Sequence, residues 1–237
     1  MTVRRIISSF IECTSECGQA EFHRWMITLL IESGAVFYQN APYPPPLSDN
    51  PYLPIKENGD FFATINFCHQ VLNTDSPGAS VQRGFLGRYA NAARLKSFSI
   101  DSFGWRDDTE NFERNILQLA EGRVAFMRFL LPKVKPQFAY ADDVWGTNIS
   151  KSQVEKGHTP RLYWTTYFGP RFVEVHGRDF LMNTPAWKTE ELEGGVLVTA
   201  TEKFLDFATA EPRECLKYLR QHFKGMRANR FKIHTAF

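Results

Sequence analysis

The stretch from Tyr163 to Thr201 constrains this chain more than any other, because it carries its own start and stop signals. Residues 162–168 are apolar, aromatic or β-branched and predict a strand. Gly169-Pro170 ends it: proline has no amide to give a ladder, and glycine frees the backbone to turn. Glu193-Gly194-Gly195 separates two further strand-like runs, 186–192 and 196–201, and predicts a hairpin turn. Tyr167 suits a buried position in such a strand, and Gly177 a second backbone turning point.

The rest of the chain fits an α+β domain. Residues 3–12 predict a strand. Phe22, Trp25, Met26, Leu29 and Leu30 repeat at helical spacing up to Gly34. Pro42, Pro44, Pro45, Pro46, Pro51 and Pro54, with Tyr38, Tyr43 and Tyr52 interleaved, predict an extended loop. Alternation over 61–67 predicts a half-buried strand. Ser76-Pro77 followed by Val81, Phe85, Tyr89 and Ala92 predicts a helix to Arg94, and 95–103 a strand. Asp107 and Glu110 stand like a capping pair before a long helix through Phe112, Ile116, Leu119, Met127 and Leu130 that ends at Pro132. A strand over 137–140 and a last helix from Pro212 to near Gly225 complete the reading. Strands and helices are not strictly interleaved, so the expected fold is α+β, a mainly antiparallel sheet packed with about four helices. No repeat or sharp compositional break divides residues 1–237, and 105–110 is where a subdivision would fall.

Composition narrows the function classes. A chain of 237 residues can bury roughly 70 to 75% of its unfolded surface in one core, and with 21 Phe that core is expected to be rich in phenylalanine. The 28 basic and 26 acidic residues balance to +2, so neither nucleic acid nor a membrane surface is the expected main partner. Charge is segregated locally. Glu190, Glu191, Glu193, Glu202, Asp206 and Glu211 oppose only Lys203 over 189–211, whereas 213–237 holds seven basic residues against Glu214. The opening residues lack the apolar core of a secretory leader, no run reaches membrane length, and Cys13, Cys17, Cys68 and Cys215 are expected as reduced thiols of a cytoplasmic protein.

No catalytic constellation is expected. Cys13, Cys17 and His23 have zinc-ligand chemistry without a fourth ligand at a recognised spacing, and Cys68-His69 are neighbours on one strand, pointing to opposite faces. No metal or other cofactor is therefore predicted. Asp142-Asp143 and Glu155-Lys156 are the nearest approach to a metal-nuclease cluster, but neither spacing puts both groups on one strand face. His158 and His176 lack a carboxylate nearby in sequence, so a general base is not expected of them. The remaining signal is aromatic and acidic. Trp105 precedes Asp107 and Asp108, and Trp145 follows Asp142 and Asp143. Tryptophan supplies contact area and acids supply charge complementarity, the combination expected where one protein covers another's cationic cleft.

Residues 162–178, with aromatic strand, Gly169-Pro170, Phe172-Val173-Glu174 and Gly177-Arg178, followed by the 185–201 hairpin, resemble the immunity protein 52 family of bacterial polymorphic toxin systems. The resemblance implies a cytoplasmic bacterial protein that binds and neutralises a cognate toxin, typically a nuclease with a restriction-endonuclease-like domain delivered by a secretion system. It transfers no catalytic residue. Trp105, Asp108, Asp142, Asp143 and Trp145 are the expected partner-binding residues, with Glu190, Glu191 and Glu193 of the acidic turn next. A metal-dependent hydrolase at Asp142, or an adaptor using the Pro- and Tyr-rich loop, are the competing readings. Within the motif, Arg178 could pair with Glu174 if that segment is helical.

Overall fold

A computed structural model describes residues 5–14, 20–32, 35–38, 64–71, 80–87, 97–103, 112–143, 149–159, 162–209 and 215–226. Among the described residues nine strands form one antiparallel sheet: β1 (Arg5–Ile11), β2 (Ala35–Tyr38), β3 (Thr64–Val71), β4 (Ser80–Gly87), β5 (Ser97–Phe103), β6 (Phe138–Asp142), β7 (Thr165–Phe168), β8 (Lys188–Leu192) and β9 (Gly195–Thr199), in the order β2-β3-β4-β5-β1-β6-β7-β9-β8. Seven α-helices are described: α1 (Ala20–Glu32), α2 (Phe112–Val134), α3 (Lys151–Glu155), α4 (Pro170–His176), α5 (Arg178–Met182), α6 (Phe204–Thr209) and α7 (Cys215–His222), the last continued by a 3₁₀ turn, Phe223–Met226. The α+β class with an antiparallel sheet is as expected; the helices exceed the expected four because α3 to α6 are short.

Register decides which residues share a face. Phe10, Ala139, Tyr167, Leu197 and Glu190 lie opposite one another across β1, β6, β7, β9 and β8, and so line one face. Arg128 of α2 reaches Glu190, which places α2 on that side. Along α2, Ile116, Ala120, Val124, Met127, Leu130, Leu131 and Val134 are buried, a stripe at helical spacing. Ile11, Phe138, Phe168, Val196 and Glu191 line the other face. There Phe172 of α4 sits 5.4 Å from Phe138 and 5.5 Å from Phe168, and Phe223 sits 5.3 Å from Phe168. Tyr140 and Tyr163 stack at 3.8 Å beside them. With helices on both faces, β6, β7 and β9 are buried along their whole length. The expected aromatic core is centred on this cluster, where truncating Phe172 to alanine would cost about 3–5 kcal/mol.

Two expectations about elements are corrected. Residues 80–87 form β4, not part of a helix: the strand pairs with β3 along its whole length and with β5 over Arg83–Leu86. Val81 and Phe85 satisfy helical spacing, but Gly84 and Gly87 each disfavour helix by about 1 kcal/mol, and pairing on both sides supplies what local spacing cannot. Helix α2 runs through Pro132 to Val134. Pro132 is exposed in the final turn; the helix forgoes the bond its amide would have made to the Arg128 carbonyl and ends two residues later.

Candidate functional site

The motif at 162–178 builds a rigid platform. Gly169 caps α4 with Pro170 at its first position. Its φ of −73° is ordinary, so glycine is needed for space. An added Cβ would lie 2.5 Å from the Pro136 carbonyl oxygen and 2.8 Å from Gln137 Cα, and the Gly169 amide already donates to the Gln137 carbonyl at 3.0 Å. Gly177, between α4 and α5, has φ +86° and open space around it, so there the backbone conformation requires glycine. The Arg178–Glu174 pair does not form. Arg171 pairs with Glu174 instead, and Arg178 reaches across to Glu191 on β8.

From this platform projects the β8–β9 hairpin. Glu193 and Gly194 both have positive φ, 48° and 73°, the requirement of a two-residue type I′ turn. The Tyr167 hydroxyl, coming from the centre of the sheet, donates to the Glu193 carbonyl at 3.2 Å. Its ring lies against Gly195, where any Cβ would collide with the phenol and with the Phe168 carbonyl. Tyr167 is buried, and burial first, then the Glu193 carboxylate, push its phenol up to about 12.

Among the described residues β8 is one of the two edge strands of the sheet, and it is clamped on both faces. On one, Glu190 accepts from Arg128 and lies 2.9 Å from Lys188. Burial alone would raise the Glu190 carboxyl, but hydrogen bonds from Lys188 and Arg128 and their charges outweigh it and hold the group below the usual carboxylate range. On the other, Glu191 takes Arg178, and the Thr189 hydroxyl donates to the Met182 carbonyl at 3.0 Å. Charges on both faces of an edge strand discourage strand-to-strand aggregation. Glu190 is half-buried; Glu191 and Glu193 are exposed.

The opposite end of the hairpin is organised by Trp164. Buried, it donates from Nε1 to the Thr201 carbonyl at 3.1 Å, packs edge-on against Phe204 at 5.1 Å, and accepts the Ala200 amide on its carbonyl at 2.8 Å. Its own amide donates to Asp142 Oδ2 at 3.3 Å, while the Asp143 amide donates to Asp142 Oδ1 at 2.7 Å. Asp142 is only 1% exposed. The expected contact residue thus holds backbone inside the fold, and its carboxylate does not face solvent. Asp143 is half-buried. Trp105, Asp108 and Trp145 lie outside the described residues, as do Asp107 and the Pro-rich segment 42–54.

One residue at this end escaped the sequence reading. Trp187 is 53% exposed, yet its amide is fixed to the Ala200 carbonyl at 3.2 Å. Glu202 and Lys203 follow two and three residues beyond Ala200, and Asp206 stands in the first turn of α6; all three are exposed. Tryptophan and acids, separated along the chain, are thus brought to one end of the hairpin by its strand pairing. Their distance along the chain hides the grouping from sequence spacing; a tryptophan at the mouth of a predicted hairpin is the available signal.

The other candidates have structural surroundings. His176 Nε2 meets the Gly157 carbonyl at 2.8 Å and packs between Phe172 and Phe180. Cys13 is buried, and Cys68 and His69 occupy consecutive positions of β3. Among the described residues no three His, Cys, Asp or Glu side chains are grouped to hold a metal, and no helix is long and apolar enough to cross a membrane. Comparison with protein-family models, with curated proteins and with solved structures found no match.

Proposed function

We propose that the protein is a stoichiometric inhibitor that binds and neutralises a cognate toxin, with a nuclease domain as the target, in the bacterial cytoplasm. The observation that carries this reading is the use made of the 162–178 motif. Its aromatics, glycines and arginine support a buried platform that carries, at a sheet edge, a hairpin whose turn presents Glu193 exposed and outside any ion pair among the described residues. A nuclease must hold a polyanion and therefore presents cationic surface, and a chain of net charge +2 opposes it by concentrating acids in one place. The resemblance of residues 162–178 and of the hairpin to the immunity protein 52 family points the same way. Contact is with protein; neither nucleic acid nor membrane is a direct partner, and no enzymatic turnover is involved. The buried position of Asp142, with both oxygens taking backbone amides, weighs against the hydrolase reading.

The test is co-expression with the product of the gene immediately upstream. Growth arrest by that product, relieved by this protein with formation of an isolable complex, supports the proposal. Arrest without rescue, or metal-dependent hydrolysis that co-purifies with this protein and is lost in Asp143→Ala, overturns it.

A further inference from the structure

We propose that Trp187 is the anchor of the partner interface and that the surface it enters is a cationic face of a protein; the inference rests on the inhibitor reading above. Three large aromatic side chains among the described residues are well exposed: Phe129 at 45%, Trp187 at 53% and Tyr218 at 68%. Their electrostatic surroundings separate them. Phe129 lies in a ladder with Trp25 and Phe126, and Lys133 Nζ stands 5.2 Å from the Trp25 ring and 6.0 Å from the Phe129 ring, with Arg123 5.9 Å from Phe126. Tyr218 shares the exposed side of α7 and the following turn with Lys217 and Lys224. Both sites would repel a cationic surface.

Trp187 stands apart from them. Around the hairpin Lys188 is engaged by Glu190, and Arg178 by Glu191. At the Trp187 end of the hairpin, Glu202 and Asp206 form no ion pair among the described residues and outnumber Lys203. The rim is therefore acidic where the anchor is aromatic, the complement of a cationic face with an apolar recess. Trp187 is also pre-positioned. The bond from its amide to Ala200, and the fixing of residues 200 and 201 by Trp164, leave little backbone to order on binding. Because ion pairs blunt both faces of β8, the contact runs through side chains rather than by addition of a strand.

The experiment measures affinity and association rate for the upstream-encoded nuclease with Trp187→Ala, Trp187→Phe, Phe129→Ala, Tyr218→Ala and the Glu202→Gln/Asp206→Asn double variant, at low and high salt. Trp187→Ala should weaken binding at least about 30-fold with unchanged melting, and Trp187→Phe should recover part of the loss. The acid variant should slow association and flatten its salt dependence, while Phe129→Ala and Tyr218→Ala stay within about threefold of wild type. Undiminished binding by Trp187→Ala overturns the inference and leaves the inhibitor reading standing. So does a dimer of this protein that Trp187→Ala dissolves, since the occupant is then a second copy. A wild-type protein that fails to bind the nuclease overturns both.

Discussion

Replacing Gly169 by alanine separates two reasons for a glycine: backbone freedom and space. With φ −73° and ψ −175°, Gly169 occupies backbone conformation open to any residue, so an alanine there meets no conformational strain. The obstacle is contact. Its Cβ would stand 2.5 Å from the Pro136 oxygen and 2.8 Å from both Gln137 Cα and Gln137 O, all backbone atoms with no rotamer to give way. Reaching ordinary van der Waals separation needs a shift of about 1 Å, which strains the Gly169–Gln137 hydrogen bond and lifts Phe172 from its aromatic neighbours. Overpacking of this kind costs about 1–3 kcal/mol and a lost hydrogen bond about 0.5–1.5, so the expected destabilisation is about 2–4 kcal/mol. In a chain of this size that lowers Tm by about 5–15 °C. The control is Gly122→Ala, on an exposed position of α2 with nothing within 4 Å of the new Cβ, expected to stabilise by about 0.5–1 kcal/mol. Urea titrations of both variants decide the matter. A Gly169→Ala protein within about 0.5 kcal/mol of wild type refutes the close approach on which the platform rests.

Other perturbations test the remaining supports. Gly177→Val, at φ +86° in open space, should cost about 1–3 kcal/mol through backbone strain alone, and equal urea midpoints for variant and wild type would contradict that. Tyr167 has its phenol raised from 10 to about 12, so the folded state holds a proton the unfolded chain releases. Its contribution is full below pH 10 and is lost as pH rises toward 12; Tyr167→Phe should flatten that alkaline decline, and an unaltered profile would count against it. Glu190 is shifted the other way, so its contribution is present above the ordinary glutamate range near pH ~4.3 and disappears as pH falls through its lowered folded value. Arg128→Gln should bring acid unfolding to higher pH.

What could be read from residues alone follows from where the information sits. Helices α1 and α2, the β8–β9 hairpin and β7 carry local signals strong enough to survive any packing: apolar stripes, a two-residue glycine turn, an aromatic run closed by Gly169-Pro170. Helices α4 and α5, of seven and five residues, could not be found that way. Too short to hold alone, α4 and α5 persist because Phe172 and Leu181 are buried against the sheet. β4 is not legible locally, because helical spacing and strand pairing are both open to Val81 and Phe85 until β3 and β5 are present on either side. The site failed for a related reason. Asp142 looks like a surface acid in sequence, and only the proximity of the Trp164 amide reveals it as an internal acceptor. Trp187 and Glu202 are fifteen residues apart along the chain and are brought to the same end of the hairpin by the pairing of β8 with β9.

The inhibitor reading is tested most directly by titrating the purified upstream-encoded nuclease with this protein while following cleavage of labelled DNA and RNA. Activity should fall linearly to zero at one inhibitor per nuclease, with the complex surviving gel filtration. Full nuclease activity at a tenfold excess of folded protein would contradict the account.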